Sequence, residues 1–535
     1  MLGRDSRLLA THPTVRPRLG ATQRRIAADC LLVPILTACC LVAVRPASAQ
    51  PIFGQNKIQY ADFTWRVMAT PHLDLHFYPD ERELAEWVAK VGEEAVVELM
   101  AEMEIDPAKF KKRIPLIVYS THHDFQQSNI SPGIIPEEVG GLTDLIKGRV
   151  LVPHTGSYYR LRWVVRHELV HALMLEKVAS SLREHKKTRF GYPPLWYVEG
   201  LAEFLGAARW DSRADMVLRD AVLNDHLVRI PDLWQINGTF LMYKEGQSIL
   251  YFIEREYGRD KVIEFLSSWW ETGDFAALVP KVLDMTEEEL DRKWAEDLKE
   301  RYFPQVKQRE AVTTGAVPLV TAPSFNLGAC PLPPRAGEPV ASPAIDSAAA
   351  AVAPGKSGPE LARAVGPLEL VHLSSLGGFA GVRRSGFEPG REAKHAPEPE
   401  LLVKGGTSDK FESLHFFSSA LDVNARREVV FVSKAGERDV LHILSADDPD
   451  PVATLSFPNL VGLSSPTWSP DGEWIAVSGV TEAGHRDLYR VRRDGSELTP
   501  LTQDCYDDRD PDWSPDGSAI VFSSDRCPGG DDGAM

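Results

Sequence analysis

Two histidines four residues apart, with a glutamate directly after the first, are the residues of this 535-residue sequence best placed to do chemistry. They are His167, Glu168 and His171, in the stretch RHELVHALMLE. On a helix, positions i and i+4 lie one turn apart on one face, so both imidazoles can bind one metal ion. Glu168 is offset sideways, where it reaches a water instead of the metal. The spacing predicts zinc ligands at His167 and His171, and Glu168 as general base for hydrolysis.

A second stretch, PPLWYVEGLAEFL, offers the carboxylate that such a site requires. Zinc held by two histidines takes one more protein ligand and leaves one position open for water. Glu199 would supply that ligand from a second helix. Glu203, one turn further on, is placed to hold the far nitrogen of a ligand histidine from outside the coordination sphere. The apolar neighbours of both glutamates argue against a solvated acidic face, so we predict one catalytic Zn²⁺.

The two stretches together resemble the gluzincins, the peptidase MA-like metallopeptidases in which His-Glu-x-x-His is followed by a helix bearing glutamate. The resemblance covers roughly residues 60 to 305 and implies an α+β zincin-like fold. It also implies a site in which His167, His171 and Glu199 bind zinc and Glu168 is the base.

The oxyanion donor is the less specific part of this resemblance. The stretch MYKEGQSILYFIEREYG is similar to the Tyr-Glu-Lys-Gly helix of the aminopeptidase branch, which assigns oxyanion stabilisation to Tyr243. His226 is a competing candidate for that role. His122 and His123, in a polar loop after a strand, are interpreted as solvated. The strand GRVLVP, at residues 148–153, is the candidate edge strand for an extended substrate.

Charge and the amino-terminal segment indicate partners and compartment. A formal net charge of −17 argues against nucleic acid or an anionic membrane surface as the main partner. The gluzincin resemblance implies a peptide or protein substrate. Residues 1–49 combine basic, apolar and small-residue segments as a signal peptide does, which predicts export to the periplasm or the extracellular space. A lipobox-like alternative would leave a lipidated Cys39. No later apolar run is long enough to span a membrane. In an oxidising compartment Cys505 and Cys527 are the natural disulfide pair.

The remaining sequence predicts a multidomain chain. Residues 50–307 have the apolar periodicity of an α+β domain, with strands first and helices afterwards. Residues 308–402 are rich in Pro, Ala and Gly and are predicted to be a largely irregular linker.

Residues 403–535 repeat with a 45-residue period. PTWSPDGEWIAVSG and PDWSPDGSAIVFSS place Trp468 and Trp513 45 residues apart, and Ser-Pro-Asp-Gly is turn chemistry. These repeats resemble the WSPDG blades of the TolB-type β-propeller family. About three blades fit, fewer than the four to eight that close a propeller, so we predict an incomplete propeller. The chain would then be a fragment or form an open arc; a hairpin repeat in another β fold is the structural alternative.

Two functions follow from these patterns. The first is an exported zinc peptidase whose propeller binds or restricts substrate. The second is a non-catalytic exported binding protein, in which the propeller contacts a protein partner and the zinc domain is structural. A merely structural zinc site needs no Glu168, and this favours the peptidase.

Overall fold

A computed structural model describes residues 63–78, 82–131, 135–137, 139–144, 146–188, 191–206, 210–307, 309, 318–322, 324–335, 367–388, 397–406 and 410–526. All of these residues belong to one compact unit, Lys57–Met535. Most fall into two parts of that unit, the helical region at residues 63–307 and the sheet region at residues 324–526. The predicted signal peptide, Cys39 and Cys527 lie outside the described residues.

A five-stranded sheet opens the helical region. Its strands are β1 (Arg66–Ala69), β2 (Leu73–Phe77), β3 (Ile114–Tyr119), β4 (Leu142–Asp144) and β5 (Arg149–Pro153). They lie in the order β1-β2-β3-β5-β4; β2, β3 and β5 run parallel, while β1 and β4 are antiparallel to their neighbours. The prediction that GRVLVP forms the edge is wrong, because β3 and β4 cover both sides of β5. The edge strand next to β5 is β4, which has only three residues, too few for a periodic pattern.

Helices fill the rest of this region and share one core with the sheet. They are α1 (Arg82–Glu102), α2 (His122–Gln126), α3 (Tyr158–Glu184), α4 (Leu195–Gly206), α5 (Ser212–Leu223), α6 (Phe240–Tyr257), α7 (Arg259–Ser267), α8 (Trp269–Thr272), α9 (Phe275–Leu283) and α10 (Glu287–Val306). A 3₁₀ helix, Ile230–Ile236, precedes α6. One cluster of buried apolar side chains runs from β2 through α1, α3, α4 and α6 to α10. No helix in the described part of the chain is long and apolar enough to cross a membrane.

The sheet region consists of successive antiparallel sheets. The first contains β6 (Asn326–Pro331), β7 (Leu368–Ser374), β8 (Gly381–Phe387) and β9 (Glu400–Lys404). The second contains β10 (Asp422–Val423), β11 (Glu428–Ala435), β12 (Arg438–Ser445) and β13 (Asp448–Leu455). The third contains β14 (Gly462–Trp468), β15 (Trp474–Val480), β16 (Arg486–Arg492) and β17 (Thr499–Pro500), and the last β18 (Asp508–Trp513) and β19 (Ile520–Ser524). The described strands form no closed barrel or propeller.

The Ser-Pro-Asp-Gly turns have the same internal bonding in both repeats. Ser469 Oγ donates to Asp471 Oδ1 at 2.6 Å, and 45 residues later Ser514 Oγ donates to Asp516 Oδ1 at 2.6 Å. The glycine that follows has φ near +70° in each turn, a conformation that other residues avoid. The period predicted from the sequence is therefore a structural period.

The predicted linker needs correction. Residues 326–331, 368–374 and 381–387 lie inside the segment expected to be irregular, yet they form strands of the first sheet. Short apolar strands such as LELVHLS are separated there by long Pro, Ala and Gly-rich stretches, which dominate the composition of the segment as a whole. Composition alone therefore concealed a sheet that precedes the WSPDG repeats.

Candidate functional site

Helix α3 carries the His-Glu-x-x-His motif and begins at a side-chain cap. The Ser157 hydroxyl accepts the backbone N–H of Arg160 at the first turn. Apolar residues of the motif turn are buried in the core. His167 and His171 stand one turn apart with ring centroids 5.0 Å from each other. The helix thus presents both imidazoles on one face, as the spacing predicts.

Helix α4 brings Glu199 to the two histidines of α3, and α4 also approaches α6 closely at glycines. A Cβ added at Gly200 would lie 2.6 Å from the backbone of Gly246, so only glycine permits this crossing. Side chains one turn apart on α4 then reach the motif. His167, His171 and Glu199 form one of the groups of described residues able to hold a metal ion.

The separations within this group have the spacing that a zinc ion requires. Glu199 Oε2 lies 3.3 Å from His171 Nε2 and 3.7 Å from His167 Nε2. N–H···O hydrogen bonds are about 2.7–3.2 Å long. A tetrahedral zinc ion with bonds of about 2.0–2.1 Å keeps its ligand atoms about 3.3 Å apart. The donor set of two imidazoles and one carboxylate therefore fits this metal.

The carboxylate of Glu199 and the two imidazoles interact electrostatically. Burial opposes the charged forms, but the interactions of Glu199 with His167 and His171 outweigh it and hold the pKa of Glu199 well below its usual range. Burial lowers the pKa of His167, but its interactions with Glu199, Glu168 and Glu203 outweigh this effect and raise the pKa to about 9. Three carboxylates around two imidazoles make a site that attracts a cation.

Glu168 is buried beside the edge strand. Its Oε2 accepts a hydrogen bond of 2.6 Å from the Thr143 hydroxyl of β4. Gly141, directly before β4, also packs on this side chain, and an added Cβ there would come within 2.8 Å of Glu168 Oε1. The carboxylate is therefore fixed by contacts with residues 141–143, and none of its described hydrogen bonds reaches the histidines. Sequence reasoning missed Thr143, since nothing in the stretch GGLTDLIKG marks it.

Glu203 lies near His167, and a lysine pairs with it. Glu203 Oε1 lies 3.7 Å from His167 Nδ1, and Glu203 Oε2 accepts from Lys244 Nζ at 2.6 Å. Lys244 is almost fully buried, and the Glu203 carboxylate is the hydrogen-bond partner of its Nζ there. The sequence contains Lys244 in the stretch MYKEG, but only the crossing of α4 and α6 shows its partner.

Tyr243 lies at the same crossing and interacts with Glu199. Burial raises the pKa of its hydroxyl, and the charges of Glu199 and Glu168 raise it further. The hydroxyl therefore keeps its proton and can donate a hydrogen bond. His226 is exposed after α5, and its described hydrogen bond, from its own backbone N–H to Ala221, does not involve the site.

Glu245, next along α6, predicts how stability depends on pH. It is completely buried, accepts the Val228 N–H at 3.0 Å, and has no described partner at Oε2; burial raises its pKa to about 8. Between its unfolded pKa and about pH 8 the folded chain retains a proton that the unfolded chain has lost. We therefore expect the free energy of unfolding to fall as pH rises, by up to about 1.4 kcal/mol per pH unit.

The measurement is urea unfolding at several pH values across that window. Glu245→Gln should reduce the slope, because the amide has no proton to lose. Glu256→Gln, which removes a half-exposed carboxylate from the same helix, should leave it unchanged. An identical slope in Glu245→Gln and the unsubstituted chain would contradict the assignment.

His122 and His123 are not solvated as predicted. The His122 ring is bonded to the Val139 carbonyl at 3.0 Å, and burial lowers its pKa to about 4. His123 contacts Asp439 of the sheet region at 2.8 Å, and His415 contacts the same carboxylate oxygen at 2.7 Å. These are hydrogen-bond lengths, shorter than the separations at Glu199, so we assign no metal to this group.

Comparisons with known proteins concern limited parts of the chain. No known family model matches it. An uncharacterized protein of Agrobacterium fabrum (strain C58) is 41% identical over 59 residues, which cover 11% of this chain and only 20% of that protein.

Solved structures similar to this chain are TolB-type proteins. One from Agrobacterium tumefaciens has 20% identity and a TM-score of 0.24, and the match covers 29% of this chain and 50% of that chain. TolB from Acinetobacter baumannii has 14% identity and a TM-score of 0.24, with 32% and 37% covered. The gluzincin resemblance stays a prediction.

Proposed function

We propose that the helical region is a zinc-dependent peptidase of the gluzincin type, exported from the cell. The observation that carries this proposal is the convergence of His167, His171 and Glu199 at metal-ligand spacing, beside the separately held Glu168. The sheet, with one antiparallel edge strand next to the motif helix, supports a zincin-like fold.

The residues of the site have distinct roles in this proposal. A zinc ion held by the three ligands would acidify a water and polarise the peptide carbonyl. Glu168 takes a proton from the attacking water and returns it to the leaving amine. The Tyr243 hydroxyl donates a hydrogen bond to the developing oxyanion. The free edge of β4, paired only with β5 among the described strands, offers backbone groups to an extended substrate.

A zinc assay combined with peptide digestion tests the proposal. The purified full chain should contain about one zinc ion and cleave members of a mixed peptide library. Chelation should abolish cleavage, and added zinc should restore it. Glu176→Gln, on the outward side of α3 and paired with Arg183, is the control and should behave as the unsubstituted chain does.

The same assay distinguishes the peptidase from the non-catalytic alternative. In that alternative the sheet region binds a protein partner, and the buried group at His167 serves stability alone. Zinc bound without any peptide cleavage would favour this alternative. A chain that binds no zinc would contradict the proposed peptidase outright.

Tyr243→Phe should lower kcat by about 100-fold and leave KM within about twofold. The reason is that its hydrogen bond forms with charge that develops only in the transition state. Steady-state kinetics on a cleaved library peptide measure both constants. Tyr251→Phe, which removes a hydroxyl elsewhere on α6, is the control. An unchanged kcat in Tyr243→Phe would exclude the oxyanion role.

A further inference from the structure

Side chains of the two regions meet in a buried group at their boundary. His123 of α2 and His415 of the sheet region both contact Asp439 Oδ1, at 2.8 Å and 2.7 Å. The second ring nitrogen of His415, Nδ1, lies 3.0 Å from Glu137 Oε1 of the helical region. The hydroxyl of Ser413 donates to that same oxygen of Glu137. Glu137 is therefore held by two side chains of the sheet region.

The contact between His415 and Glu137 is an ion pair. Each ring nitrogen of His415 faces a carboxylate, so both nitrogens donate and the ring is positively charged. Burial disfavours the charged ring, but Asp439 and Glu137 outweigh it and raise the pKa of His415 to about 10. Removing one member of such a buried pair leaves the other uncompensated, so the pair resists separation.

Helix α2 also contacts the chain near Glu137. Its first histidine, His122, is bonded to the carbonyl of Val139, two residues after Glu137. Its second, His123, contacts Asp439. Glu137 thus contacts the sheet region through its side chain, and Val139 contacts α2 through its carbonyl oxygen.

From Val139 the chain continues to Gly141 and Thr143, and both of these residues contact Glu168, the proposed general base. Gly141 packs on Glu168 so closely that a Cβ there would lie 2.8 Å from Oε1. Thr143, two residues later, donates to Glu168 Oε2 at 2.6 Å. Any shift of residues 139–143 therefore moves the groups that orient Glu168.

We propose that the sheet region positions Glu168, by holding Glu137 through His415 and thereby fixing Thr143 against the base. This inference rests on the proposed peptidase function. His415, Glu137 and Thr143 are positioning residues, since none of them contacts the reacting atoms. The sheet region is in this view part of the catalytic apparatus. A displacement of the order of 1 Å in a catalytic group is enough to slow an enzyme strongly.

A double-mutant cycle in the full chain tests the connection. His415→Ala and Thr143→Val should each lower kcat about tenfold with KM within about twofold. The double variant should be no slower than the slower single variant, because both act through one path. Glu137→Gln, which keeps the shape of the side chain and removes its charge, should lower kcat in the same way and replaces His415→Ala if that variant does not fold.

Asp525→Asn is the control for general loosening of the boundary. Asp525 accepts from the Ser157 hydroxyl at 2.7 Å, so it joins the two regions away from His415. The kcat of the Asp525→Asn variant should match that of the unsubstituted chain. Independent losses that multiply to about 100-fold in the double variant would overturn the proposal. An equal loss in Asp525→Asn would overturn it as well.

Hydrogen exchange separates this proposal from the peptidase assignment. Amides of residues 139–144 should exchange about tenfold faster in His415→Ala than in the unsubstituted chain, and no faster in Asp525→Asn. If no peptide is ever cleaved, the proposed function fails while this measurement still decides whether the sheet region holds the segment. Unchanged protection of residues 139–144 would overturn the linkage.

Discussion

Peptide hydrolysis should fall on the order of 10,000-fold in the Glu168→Gln variant, while zinc remains bound. Glu168 performs two proton transfers, one from the attacking water and one to the leaving amine. The decrease in rate on its substitution should therefore lie at the upper end of the range for an acid–base residue. Glutamine has the same shape and can still accept the 2.6 Å hydrogen bond from Thr143. It cannot carry the proton. Fold and metal should therefore be retained.

The measurement is kcat on a cleaved peptide together with zinc content of the same preparation. Glu168 is not among the three grouped ligands, and its described side-chain hydrogen bond is to Thr143, so zinc content should match the unsubstituted chain. Glu176→Gln on the same helix controls for loss of a carboxylate. Unchanged turnover in Glu168→Gln would refute the assigned mechanism. Loss of zinc from it would mean that the carboxylate is a ligand instead.

The proximity of His167, His171 and Glu199 could be predicted because much of the geometry is local. The pairs His167–His171 and Glu199–Glu203 are each one helical turn apart, and a helix fixes the direction of such side chains. The structure brings His167, His171 and Glu199 together, and Glu203 Oε1 lies 3.7 Å from His167 Nδ1. What the sequence could not show is that glycines allow α4 and α6 to touch, which brings Tyr243 and Lys244 to this site.

Residues that orient the site from a distance escaped prediction. Thr143 is 25 positions from Glu168, and Lys244 is 41 positions from Glu203. His123 meets Asp439 across 316 positions, so a polar loop in the sequence becomes a buried boundary in the fold. Such partners depend on how strands and helices cross, and short-range periodicity carries no information about that.

The sheet region illustrates the same limit on a larger scale. Its 45-residue period was visible where Ser-Pro-Asp-Gly turns repeat, since the turn chemistry is local. The first sheet, β6 to β9, lacks that turn, and the Pro, Ala and Gly-rich sequence between its strands resembles a linker. The first sheet forms by pairing of strands that are far apart in the sequence, and composition does not indicate such pairing.

Glu199→Gln should abolish zinc-dependent stabilisation as well as hydrolysis. Loss of an outer partner of a ligand already costs about 10- to 100-fold in metal affinity, so loss of a charged ligand should cost more than about 100-fold. A ligand that binds only the folded chain stabilises it by about 4 kcal/mol at 1,000 times its Kd. Added zinc should therefore raise the Tm of the unsubstituted chain by several degrees and leave Glu199→Gln unmoved.

Thermal unfolding with and without zinc measures this shift without reference to activity. Glu176→Gln should show the full shift, since its carboxylate pairs with Arg183 away from the ligands. Glu168→Gln should show it too, and this difference separates the proposed ligand Glu199 from the proposed base Glu168. A zinc-induced shift that survives in Glu199→Gln would mean that Glu199 does not bind the zinc. The separations of 3.3 Å and 3.7 Å would then reflect charge interactions alone, and the peptidase proposal would lose its main support.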